Sequence, residues 1–178
     1  VFSIIFFTES FGQSPLKKNV YTFGGSVSIN YSNDKYELFS NKEFGVSVFP
    51  SLGYFITDNI LVSGKLGFSY SEADYSGELY QRKSYGREFL IGSSIRYYFN
   101  TEKFIPFLGT GIDYAKYSPN IYYKYNVKII FTGGLNYFLS REIALEPFIS
   151  YSVILHDNSN GNSSNLRIGA GIVYYFTY

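Results

Sequence analysis

The sequence predicts an all-β protein, an eight-stranded antiparallel up-and-down transmembrane β-barrel. Three observations carry this expectation. Period-2 alternation recurs in eight segments, short turns alternate with long polar stretches between them, and in the central part of the strands charges fall on one face only, Arg87 and Lys116 on the other face lying at the long-loop ends. The composition agrees: 178 residues include 20 Tyr, 18 Phe and 17 Gly, with 21% aromatics, and no Cys, Met or Trp. Aromatic residues favour strands, and glycines within strands mark close packing or turns.

In a strand, successive side chains point to opposite faces, so alternation can be counted. The first segment sets Tyr21, Phe23, Val27 and Ile29 against Thr22, Ser26 and Ser28. The second sets Phe44, Val46, Val48, Pro50, Leu52 and Tyr54 against Glu43, Gly45, Ser47 and Phe49. In the third, Ile60, Val62, Leu66, Phe68 and Tyr70 face away from Leu61, Lys65 and Ser69, and in the fourth Tyr85, Phe89, Ile91, Ile95 and Tyr97 face away from Glu88, Arg96 and Tyr98. The fifth opposes Leu108, Ile112 and Tyr114 to Ile105, Phe107 and Asp113, and the sixth opposes Val127, Ile129, Phe131 and Leu135 to Lys128 and Phe138. The seventh places Ile143, Leu145, Ile149 and Tyr151 opposite Glu146 and Phe148. The eighth, through Tyr178, has Leu166, Ile168, Ile172, Tyr174 and Phe176 on one face and Arg167, Gly169, Gly171 and Tyr175 on the other. Each run is about 10 to 14 residues, long for a strand of a globular protein.

Tight turns are expected at Thr57-Asp58-Asn59, Asn100-Thr101-Glu102 and Ser140-Arg141-Glu142. The other connections, SNDKYELFSNK, SEADYSGELYQRKS, KYSPNIYYK and HDNSNGNSSN, read as long polar loops. Short turns at one end and long loops at the other suit a barrel spanning an outer membrane. The mixed face carries Glu43, Lys65, Glu88, Arg96, Asp113, Lys128, Glu146 and Arg167, whereas the centre of the apolar face carries no charge. A charge facing lipid at the midplane costs roughly 2–4 kcal/mol, so the apolar face is assigned to lipid and the charges to the lumen. Tyrosines gather near the strand ends, as interfacial girdles do.

Eight strands enclose a space only about wide enough for side chains. Counted from the short-turn end, Phe55, Tyr98, Phe107, Phe138 and Tyr175 form an aromatic plug beside Leu61 and Ile105, with the eight charges above it as a closed network. Strands four to six being neighbours, Asp113 and Lys128 are expected to pair directly. Nearer the long loops the inward residues are small, including Ser26, Ser28, Gly45 and Ser69, which predicts a polar pocket open to the outside only.

Other signals are weaker. Residues 1–13 (VFSIIFFTESFGQ) resemble the end of a secretory signal peptide, leaving 14–178 as one barrel domain exported to the bacterial outer membrane. Fifteen basic against fourteen acidic side chains give no electrostatic case for nucleic acid. No cofactor or metal set is expected: the single histidine, His156, has no companion ligands. His156 beside Asp157 and Ser159 lies in a polar loop that offers no rigid nucleophile and base, so no catalytic residue is assigned.

The stretches PSLGYFITDNILVSGKLGFSY (residues 50–70) and IPFLGTGIDYA (residues 105–115) resemble the small eight-stranded outer-membrane proteins. That family contains outer membrane protein X and the transmembrane domain of outer membrane protein A. The C-terminal Ile172-x-Tyr174-x-Phe176-x-Tyr178 is similar to the signal read by the barrel assembly machinery, and ending there the sequence is expected to carry no peptidoglycan-binding domain. The resemblance implies a monomer that contacts outer-membrane lipid and lipopolysaccharide. Three roles stay open, in this order: a structural or surface-interaction barrel, a small solute channel or binding protein, and a lipid-modifying enzyme.

Overall fold

The computed structural model describes residues 16–35, 39–77, 80–99, 104–119, 124–155 and 163–177. The leader segment 1–13, the turn residues Asn100, Thr101 and Glu102, His156 with Asp157 and Ser159, and Tyr178 lie outside them. Eight strands follow one another: β1 (Tyr21–Lys35), β2 (Phe39–Phe55), β3 (Ile60–Gly77), β4 (Tyr80–Tyr98), β5 (Phe104–Pro119), β6 (Lys124–Phe138), β7 (Ile143–Leu155) and β8 (Ser163–Phe176). Each pairs antiparallel with the next, and β8 pairs with β1 from Tyr21–Phe176 to Ile29–Ile168, closing the barrel.

The strands are longer than the alternation of apolar residues predicts. The segment after Tyr70, expected as a long loop, continues β3 to Gly77, and β4 already begins at Tyr80. An apolar face is needed only where lipid covers it. Above the membrane both faces can be wet, so polar residues such as Ser71, Glu72 and Asp74 extend the ladder without alternating. The segments expected as long loops between β1 and β2, and between β3 and β4, thereby give most of their residues to the strands.

At the opposite end the turns are locked by their own hydroxyls. Thr57 Oγ1 accepts hydrogen bonds from the Asn59 and Ile60 amides at 3.3 and 3.0 Å. Ser140 Oγ does the same for Glu142 and Ile143 at 3.3 and 3.1 Å. Such hydroxyl-to-backbone bonds are the reason Ser and Thr suit tight turns.

Register around the ring is staggered. The pairs Phe23–Leu52–Gly64–Ser93–Ile112–Ile129–Val153–Ser164 lead from β1 to β8, and the β8–β1 register returns to β1 at Asn33, ten residues from the start. Strands in a barrel must tilt to accommodate such a shear. Two prolines fit because each needs only one ladder. Pro50 pairs with Gly25 on β1, while the β2–β3 ladder breaks between Val48–Phe68 and Ser51–Lys65. Pro147 pairs with Ala170 on β8, and the β6–β7 ladder breaks beside it. Lacking an N–H, each proline stops donation towards one neighbour only.

Parity decides exposure. Leu52, Leu108 and Ile168 on the outer face are 62%, 59% and 65% exposed, whereas the inward Asp113 and Glu146 are 0% and 3% exposed. This is a core turned inside out, stable only where the outer face meets hydrocarbon. Aromatic belts border it. At the short-turn end Tyr21 packs on Tyr54 (ring centroids 4.9 Å) and Phe104 on Tyr137 (5.4 Å). At the other end Tyr70 stacks with Tyr85 (6.4 Å) and Tyr114 with Tyr125 (5.9 Å).

Placing a charge on each face separately tests the assignment. Val62→Arg should weaken folding into lipid vesicles by about 2–4 kcal/mol, and Ser69→Arg, directed into the lumen, by clearly less. Urea titration of refolded barrels measures both, and equal losses would contradict the inside-out reading.

Candidate functional site

The site is the lumen, which divides into layers. At the short-turn end Phe55, Tyr98, Phe107 and Tyr175 are buried together with Leu61, Ile105 and Ala144, and Phe138 packs against them. Ring centroids lie 5.4 Å apart for Phe55–Tyr98 and Tyr98–Phe107, and 5.3 Å for Phe138–Tyr175. The Asn136 side-chain amide donates to the Tyr175 hydroxyl, satisfying that phenol inside the layer. Glycine makes room: a Cβ on Gly134 would lie 2.6 Å from both the Phe107 ring and the Pro147 carbonyl oxygen.

The sequence reading missed two further members of this layer, Leu16 and Val20, both buried in the same cluster. The chain before β1 turns back under the barrel. Val20 N–H donates to Lys17 O at 3.2 Å, Asn19 N–H to Phe55 O at 3.0 Å, and Phe55 N–H to Val20 O at 2.9 Å. Asn19 takes φ 71°, the left-handed region that asparagine tolerates better than most residues. Its side-chain oxygen accepts from the Tyr54 hydroxyl at 2.7 Å, and the Lys18 amide donates to Asp58 Oδ1 at 2.7 Å. The signal available in the sequence was an asparagine between two apolar residues four apart, too short a pattern to count as periodic.

Above the plug, Arg96 Nη1 lies 2.6 Å from Glu146 Oε1, and its guanidinium sits 4.9 Å from the Phe107 ring centroid. Next come Lys65 Nζ, 3.1 Å from Asp113 Oδ2, and Lys128 Nζ, 2.7 and 2.6 Å from the two Glu88 oxygens. Phe49, Leu90 and Ala115 form a small apolar cluster at this level. Arg167 lies over Phe49 at 4.9 Å, and Lys65 at 5.8 Å.

Asp113 and Lys128 are register partners on β5 and β6, yet they are not the ion pair that adjacency predicts. Direct partners can pair, as Lys83 and Asp74 do on β4 and β3, but here both Glu88 oxygens hold Lys128 and Lys65 holds Asp113. Three of the long cations reach over at least one intervening strand, each as a chord of the ring. Lys65 reaches from β3 to β5, Lys128 from β6 to β4, and Arg96 from β4 to β7. Gly92 lies on one of these paths, since a Cβ there would stand 2.0 Å from Asp113 Oδ1.

Between the charged layer and the long hairpins lies a polar cavity of about 370 Å³, whose walls include Asn30, Glu43, Ser47, Ser69, Asn126 and Asn165. Glu88, Lys128 and Arg167 reach into it from below, and none of the plug residues lines it. Glu43 therefore sits in the cavity wall. On the β3–β4 hairpin beyond the membrane, Lys83 Nζ lies 3.3 Å from Glu72 and 3.6 Å from Asp74. The hydrogen bond to Glu72 and then the charge of Asp74 raise the Lys83 pKa. Exposed pairs of this kind add little stability. At the C-terminus, Ile172 and Tyr174 face outward and Phe176 stacks on Tyr21 at 5.8 Å.

No family model and no curated protein matches the chain. Solved structures do match its fold. The outer membrane protein OprG from Pseudomonas aeruginosa is 13% identical with a TM-score of 0.65, over 93% of this chain and 100% of that one. Neisserial surface protein A (NspA) is 19% identical with a TM-score of 0.61, over 89% and 98%. The N-terminal β-barrel domain of Pseudomonas aeruginosa OprF is 17% identical with a TM-score of 0.53, also over 89% and 98%. The likeness is one of fold: the chain has the architecture of a small eight-stranded outer-membrane β-barrel.

Cutting one chord tests the coupling of the lumen charges. Glu146→Leu strands Arg96 in a buried site and should cost about 3–5 kcal/mol, while Arg96→Met with Glu146→Leu should recover most of that loss. The midpoint of urea unfolding from vesicles reads both, and additive losses would argue against the pair.

Proposed function

We propose that this protein is an integral outer-membrane barrel of a bacterium, closed towards the periplasm, that serves as a membrane anchor and a surface for interactions outside. The observation that carries the reading is the stack of Arg96–Glu146 on Phe107 and the aromatic layer beneath it. Solute moving along the axis would have to part a buried ion pair and then an apolar layer sealed by Leu16 and Val20. Either step alone opposes an open pore.

The opposite end has the features of a binding surface: an outward cavity ringed by strands that rise past the aromatic belt. The bare apolar band and its belts suit contact with lipid and lipopolysaccharide chains. Assembly would pass through the barrel assembly machinery, with Ile172, Tyr174, Phe176 and Tyr178 as the recognised end.

Two measurements check this reading. Purified barrels in planar bilayers should give no stable unitary conductance, and reproducible steps from the wild-type protein would overturn the closed lumen. Protease added to intact cells should cut within Glu72–Ser84 and spare Asp58 and Arg141. Cleavage at the short turns would reverse the topology.

A further inference from the structure

Three of the four lumen cations have acidic partners: Lys65 with Asp113, Arg96 with Glu146, and Lys128 with Glu88. Arg167 has no ion pair among the described residues. Its guanidinium lies against the Phe49 ring, and its Nε is buried without a hydrogen-bond partner. Stacking satisfies the face of a guanidinium but none of its five in-plane N–H donors. Those donors form a rigid fork that matches a carboxylate. Arg167 lines the cavity, as do Asn165 and Ser69, whose Oδ1 and Oγ are also buried without a hydrogen-bond partner.

The backbone register places the remaining acid nearby. Ile29 pairs with Ile168, so Asn30 follows beside Arg167, and Asn30 pairs with Gly45 on β2. Glu43 is one pleat beyond Gly45 on the same face, towards the mouth. Within the cavity wall Lys128 and Arg167 balance Glu43 and Glu88, and Lys128 is already bound by both Glu88 oxygens. A monoanion can be taken up by Arg167. Glu43 and Glu88 repel any anion there, and a phosphate dianion about twice as strongly as a monocarboxylate.

We propose that the cavity binds a small hydroxylated carboxylate of the sugar-acid class, entering from the long-hairpin end. Arg167 takes the carboxylate through its fork. The serine hydroxyls and asparagine amides of the wall, among them Ser47, Ser69, Asn126 and Asn165, match a body rich in hydroxyl groups. The floor formed by Lys128 and Glu88 stops the ligand from passing further, so it is held and not conducted. Binding here is independent of the membrane role proposed above and can be read on the isolated barrel.

The test uses wild-type barrel refolded in detergent micelles at neutral pH, with glucuronate, glucose and inorganic phosphate as probes. Glucuronate should shift the Arg167 Nε–H resonance saturably. By calorimetry it should bind at least about tenfold more tightly than glucose or phosphate, and Arg167→Gln should lose at least about that factor. Ser69→Leu, which narrows the cavity and leaves the Arg167 side chain intact, should also weaken glucuronate, which keeps the test open if Arg167→Gln does not fold. Absence of a saturable shift in the wild type, equal affinity for glucuronate and glucose, or unchanged binding in a folded variant would overturn the proposal.

Discussion

A backbone that crosses hydrocarbon must pair every N–H and C=O within the protein, since each unpaired group costs several kcal/mol there. For strands this means closure, and in this chain closure falls on the β8–β1 seam from Tyr21–Phe176 to Ile29–Ile168. Once the ring is closed at eight strands its width is narrow, and the interior admits side chains and at most one small ligand. The lumen chemistry follows from that geometry. Alternation sends every second residue into a narrow space, where Lys65, Arg96 and Lys128 meet acids on non-adjacent strands.

The cost of those charges explains their arrangement. Two buried ions are no more stabilising than well-packed apolar residues of similar size, yet removing one partner leaves the other stranded. The Arg96–Glu146 and Lys128–Glu88 chords therefore act as ties between non-adjacent strands, β4 with β7 and β4 with β6. They leave Arg167, stacked on Phe49, without an ion pair among the described residues at the base of the cavity. The plug lies below this polar cavity and lines none of it.

Much of this was legible in the sequence because strand parity is a strict code. Leu52, Val62, Leu108 and Ile168 could be assigned to lipid, and Asp113 and Glu146 to the lumen, from position alone. The five aromatics of the plug could be placed at one height by counting from the turns. Side-chain reach was not legible, because neighbours in sequence register need not touch once the wall curves. Lys128 passes over its register partner Asp113 to Glu88 for that reason. The strand extensions to Gly77 were hidden because nothing above the membrane requires alternation. Leu16 and Val20 were hidden because they belong to a turn without a period.

Amide hydrogen exchange on the barrel in lipid nanodiscs tests the closure on which everything else rests. The account predicts that the seam amides between Phe23 and Ile29 on β1 and between Ile168 and Tyr174 on β8 exchange as slowly as those of Val62–Phe68 on β3 and Phe89–Ile95 on β4. Fast exchange confined to the seam would show an open sheet, and the lumen derived from a closed ring would fall with it.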